Sequence, residues 1–151
     1  MRTGCTNRMP PNRPLISAGI VDFDEPRLVI VGDPEGFLWL ASLIESAWTG
    51  DLSSLGGKLH LAGVQLCIGH SGLHGGLEWR GTQLHWRLSN SALQLFPEQL
   101  RALAQSEGAG HAYLDDPAEE DTSIQAIASK GEYDPATLFG DGEIGGTAAG
   151  T

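Results

Sequence analysis

Between Arg27 and Ala62 the spacing of apolar positions changes twice. Leu28 to Val31 is a continuous apolar run, the pattern of a short buried strand, and Gly32 breaks it. Asp33-Pro34-Glu35 then has the chemistry of a helix start. A carboxylate can accept from the orphan N–H groups, a proline in the first turn needs no partner, and a second acid opposes the positive helix end. Phe37, Leu40, Ala41, Ile44 and Trp48 follow at i, i+3, i+4, i+7 and i+11, one face of a helix that stops at Thr49-Gly50-Asp51. After the loop SSLGG, Lys58 to Ala62 returns to strand.

From there the period is two. Leu59 and Leu61, then Val64, Leu66 and Ile68, then Leu77 and Trp79, then Leu84, Trp86 and Leu88 alternate with polar or small residues. This predicts a meander of antiparallel strands with a hairpin turn at Arg80-Gly81-Thr82. A second helix follows, capped by Asn90 or Ser91, interrupted at Leu95-Phe96 and restarted at Pro97-Glu98, with Leu100, Leu103 and Ala104 inward. Glu107-Gly108-Ala109-Gly110 ends it, His111 to Leu114 is a strand, and an acidic loop leads to a last strand over Ser123 to Ser129.

Two similar passages thus emerge, matching Leu28 with Leu84 and Leu59 with Ala112. The expectation is an α+β fold: a two-layer sandwich in which one mixed or antiparallel sheet carries two helices on one face, built from a duplicated β-α-β-β unit. Residues 1–20, a Pro- and Arg-containing stretch without periodicity, and residues 140–151, GDGEIGGTAAGT, read as disordered tails. That leaves a single domain over residues 21–139, a length that supports one core.

Charge narrows the classes of partner. The chain holds 9 Lys+Arg against 19 Asp+Glu. Arg2, Arg8, Arg13 and Arg27 are all near the start, so residues 28–151 carry five cations against 16 acids, a net charge of −11. Lys58, Arg80, Arg87, Arg101 and Lys130 form no basic stripe, and so acidic a body is repelled by phosphate backbones, which excludes nucleic acid as the expected partner. No apolar run approaches the ~20 residues of a membrane span, and the first residues have no apolar targeting core. The expected compartment is the cytoplasm.

Candidate chemistry is sparse. Cys5 and Cys67 cannot build a disulfide framework or a four-cysteine zinc site. His70 and His74 in GHSGLHGG have i, i+4 spacing, but the flanking glycines argue against the helix that would bring them together as metal ligands. His60, His85 and His111 lie in strands, and His60 with His111 could form a catalytic pair only if the fold brought them together. Cys67 or Ser71 beside His70 or His74 suggests a nucleophile and base, although sequence proximity alone does not place such groups. Neither a GxSxG elbow nor a Walker loop is present, and no cofactor is expected. The remaining candidate is a surface: the loop acids Asp115, Asp116, Glu119, Glu120 and Asp121, placed to bind a partner.

The stretch GDPEGFLWLASLIESAW followed by KLHLAG, with GAGHAYLDD and SKGEYDP, resembles small bacterial immunity proteins of polymorphic toxin systems, in particular the immunity protein 32 group. The resemblance implies a protein that binds a cognate toxin and blocks it without catalysis. Together with the charge, it sets the expected function: a non-enzymatic binding module whose acidic loop meets a basic protein partner, such as a toxin. The alternatives are a small metal-dependent hydrolase using His70 and His74, and a structural subunit that assembles through a sheet edge.

Overall fold

The computed structural model describes residues 15–22, 25–118 and 124–139, and its first strand lies inside the stretch read as a leader. In β1 (Ile16–Asp22) the side chains of Ile16, Ala18 and Ile20 turn inward and alternate with Ser17, Gly19 and Val21. The ordered chain therefore begins before residue 21, the expected boundary. Residues 1–14 and 140–151 of the expected tails lie outside the described residues.

β2 (Pro26–Gly32) pairs with β1 as an antiparallel hairpin and runs into α1 (Pro34–Glu45). Asp33 caps this helix as its chemistry predicts, its Oδ1 accepting from Gly36 N at 2.9 Å, and Phe37, Leu40, Ala41 and Ile44 are buried. The helix stops earlier than expected. Ala47 takes a left-handed conformation (φ 60°), and the N–H groups of Ala47 and Trp48 return to the carbonyls of Ile44 and Leu43, a Schellman closure. Trp48 packs on the core from outside the helix.

The short β3 (Gly50–Asp51), a 3-10 segment (Leu52–Lys58) and β4 (Leu59–Ala62) follow. Next come β5 (Gln65–Gly72), β6 (Gly76–Arg80) and β7 (Gln83–Ser89). Gly81 at φ 64° turns the β6–β7 hairpin as anticipated. The meander itself is not simple, because β7 lies parallel to β5 and separates it from β6. α2 (Asn90–Gln105) begins at Ser89 and continues through Pro97 without a restart. Pro97 forfeits one backbone bond, but Phe96 and Leu100 on either side are fully buried and hold the helix together. β8 (Gly110–Tyr113), β9 (Gln125–Lys130) and α3 (Pro135–Phe139) complete the chain.

The class is α+β, but the strands form two sheets where one was expected. A five-stranded sheet has the order β4-β1-β2-β9-β8, and a four-stranded sheet the order β3-β5-β7-β6. The same pairing sequence occurs in both. A hairpin (β1-β2 or β6-β7) leads into a helix, and its second strand pairs in parallel with a strand from the other half of the chain (β9 or β5). That strand carries an antiparallel neighbour, β8 or β3. Leu59 and Ala112 are therefore not equivalent, because β4 flanks β1 whereas β8 flanks β9. The self-contained β-α-β-β unit is not established; the two halves exchange strands.

α1 and α2 pack on each other, and one continuous core joins them to Leu28, Ile30 and Ala128 of the first sheet and Leu66, Leu84 and Trp86 of the second. The opposite face of each sheet looks outward. None of the described helices is long and apolar enough to cross a membrane.

Candidate functional site

The two segments that sequence reading separates, GHSGLHGG and the acidic loop, meet in the fold. Asp116 is 3% exposed, and its carboxylate accepts from Ser89 N at 3.0 Å, Ser89 Oγ at 2.5 Å and Ala118 N at 2.9 Å. Ser89 is also the N-cap of α2, accepting from Ala92 N at 3.2 Å, so the carboxylate lies at the positive end of that helix. Gly75 donates its N–H to Ala118 O at 3.1 Å. A Cβ on Gly75 would lie 1.7 Å from Asp116 Oδ2, which explains why glycine is needed there.

Asp116 is thereby withdrawn from the acidic surface to which it was assigned. Its charge is consumed in fastening the loop to the start of α2 and to the end of the glycine segment. Asp115 is exposed and accepts from Gln125 Nε2 at 3.2 Å; Glu119, Glu120 and Asp121 lie outside the described residues.

The histidines are dispersed. His70 sits on β5, and its Nε2–H donates to Ala47 O at 3.0 Å, bracing the end of α1; His74 is exposed in the following loop. Among the described residues no three His, Cys, Asp or Glu side chains are grouped to hold a metal. His60 and His111 share one row across the five-stranded sheet, through Ser17, Val31 and Ser129, but occupy opposite edge strands. Four strand spacings, about 19 Å, separate them, so they are not a catalytic pair. Cys67 is beside His85 on the neighbouring strand and Asp51 on the other side. Burial pushes the Cys67 thiol up, and the charge of Asp51 adds to this, the reverse of what a nucleophilic thiolate requires.

One concavity lies on the outer face of the five-stranded sheet. It is a groove of about 240 Å³ with Val29 and Ile127 as floor and Tyr113 and Tyr133 exposed beside it. At one end His111 Nδ1 contacts Glu132 Oε2 at 2.9 Å, and Ser129 Oγ donates to Glu132 Oε1 at 2.8 Å. These bonds, His111 first, hold the Glu132 carboxyl below the usual carboxylate range against the opposing effect of partial burial. A carboxylate only accepts, so His111 carries its proton on Nδ1. The His111 ring meets Tyr113 edge-on, with centroids 5.2 Å apart.

Arg27 lies toward the other end, opposite Gln125 on β9. Among the described residues the acid nearest to it is Glu25, with Nη2 to Oε2 at 3.9 Å. Gln125 also contacts Asp115, so Asp115 lies at the same end of the sheet as Asp22 and Glu25 of the β1–β2 turn. Beyond the groove, the residues 131–139 lie over the sheet, with Phe139 against Gly19; a Cβ on Gly19 would be 2.9 Å from the ring.

Sequence reading placed His111 in a strand but did not group it with Arg27, Glu132 and Tyr133. The pairing of β2 with β9, separated by almost a hundred residues, brings them together, and no local spacing encodes that. No family model matches the chain, and no curated protein or solved structure is similar enough to count as a match.

Proposed function

We propose that the protein is a non-enzymatic protein-binding module, of the kind immunity proteins represent, which meets a basic partner such as a toxin with the acidic end of its five-stranded sheet. The observation that carries this reading is that Asp115 comes to the same exposed end of that sheet as Asp22 and Glu25, from which it is distant in sequence. Tyr113, 48% exposed, lies beside them and offers the aromatic surface that interfaces favour. The overall charge of −10 would speed encounter with a cationic partner.

The test is capture of partners from the native host's lysate at low ionic strength. A basic protein should bind the wild type, weaken steeply with salt, and bind poorly to the Asp22→Asn, Glu25→Gln, Asp115→Asn triple variant. Recovery of no protein partner, or equal capture by the triple variant, would defeat the reading.

A further inference from the structure

We infer that the groove on the outer face of the five-stranded sheet binds a small organic acid, its carboxylate on Arg27 and an aromatic or branched aliphatic body between Tyr113 and Tyr133. The inference does not depend on the protein-binding reading, because it concerns the floor of the groove and can be tested on the protein alone.

Arg27 is the reason. Its side chain is only 25% exposed, its Nε is shut off from solvent without an acceptor, and Glu25 stands 3.9 Å from Nη2, beyond hydrogen-bond length. Among the described residues nothing accepts a hydrogen bond from this guanidinium. A guanidinium has five donors in a planar fork; here the buried Nε, without an acceptor, costs free energy, while the terminal nitrogens are not shut off from solvent and can take a ligand. Its terminal nitrogens match a carboxylate in shape and charge. Val29 and Ile127 supply an apolar floor, and about 240 Å³ accommodates a single ring or branched chain.

The walls are held before any ligand arrives. Glu132 fixes His111, and the His111 ring braces Tyr113 edge-on. The nearby acids oppose the ligand, but unequally. Glu132 is already bonded by His111 and Ser129, and Glu25, 75% exposed, can swing into water. Asp115 faces solvent, where its field is screened over about 8 Å at physiological salt. A direct charge-assisted contact to Arg27 outweighs these screened repulsions.

The probe is phenylacetate, with phenylacetamide as its uncharged counterpart, each titrated into the isotope-labelled protein and followed by backbone amide shifts. Phenylacetate should move the amides of Val29, Tyr113, Ile127 and Tyr133 in a saturable manner below about 20 mM, and phenylacetamide should bind at least about tenfold more weakly. Arg27→Gln should lose about tenfold or more, and Glu25→Gln, which removes the competing carboxylate, should tighten binding about two- to fivefold. Equal binding of acid and amide, no saturable shift with either, or weaker binding by Glu25→Gln would each overturn the proposal. Should Arg27→Gln fail to fold, the acid–amide comparison and the Glu25 variant still decide.

Discussion

Replacing Asp116 by asparagine should cost far more stability than the same change at its neighbour Asp115. At least three donors converge on the Asp116 carboxylate, two from Ser89 and one from Ala118. Hydrogen bonds to a charged group contribute about 1.5–3 kcal/mol each, and a buried donor stripped of its acceptor costs about 1–3 kcal/mol. Asparagine keeps one acceptor but turns an NH₂ toward a donor and removes the charge from the start of α2, a further loss of up to about 1 kcal/mol. These effects overlap, so the net expectation is about 3 kcal/mol. With a urea m-value of about 1.5–2 kcal/mol/M, the midpoint falls by about 1.5–2 M. Asp115→Asn, on an exposed carboxylate, should stay within about 0.5 kcal/mol of wild type. Gly75 sharpens the test, because its φ is not left-handed and the three atoms that a Cβ there would meet first all belong to the Asp116 carboxylate. Gly75→Ala should be severely destabilising in the wild type and much milder when Asp116 is alanine, a coupling of at least about 2 kcal/mol in the double-mutant cycle. Additive effects, or an Asp116→Asn penalty under about 1 kcal/mol, would refute the idea that this carboxylate fastens the loop.

Other consequences follow from single residues. Ala47→Gly should stabilise the protein by about 0.5–1 kcal/mol in urea titrations, since alanine at φ 60° bears a left-handed penalty that glycine avoids; a loss would show that contacts of the methyl outweigh the strain. Glu132 has a depressed pKa in the folded protein, so its contribution is present above the unfolded value of about 4.3 and is lost as pH falls through the lower folded value. The stability gap from urea titrations between wild type and Glu132→Gln, about 1 kcal/mol at neutral pH, should therefore close in acid, and a gap unchanged near pH 3 would contradict the pairing with His111. In a Cys5→Ser background, Cys67 should react with a disulfide reagent more slowly than a free thiol at pH 8, and Asp51→Asn should quicken it about two- to fivefold; an unchanged rate would remove Asp51 as a cause.

Local chemistry was readable where it acts over a few residues. The Asp33-Pro34-Glu35 start, the inward face of α1 and the Gly81 hairpin form as their residues dictate, because caps, helical periodicity and turn geometry need only near neighbours. β1 was the chief omission. Its alternation of Ile16, Ala18 and Ile20 was present, but small Ala18 and Gly19 weaken the apolar signal, and Gly19 is small because Phe139 lies on it from the far end of the chain. The acidic loop was misjudged for a related reason. Asp115 and Asp116 are adjacent and chemically alike, and only the approach of Ser89 and Gly75 decides that one faces water and the other does not.

By itself, the sequence determined the α+β class, the capped first helix, which positions face a core, and the excess of negative charge. All of these depend on composition or on periods of two and 3.6 residues. The tertiary structure alone decided that the strands divide into two sheets, that the halves exchange strands, and that Arg27, Tyr113, Glu132 and Tyr133 line one groove. The reason is that an alternating pattern specifies which face of a strand is buried, whereas the identity of the neighbouring strand depends on how the assembled core is filled.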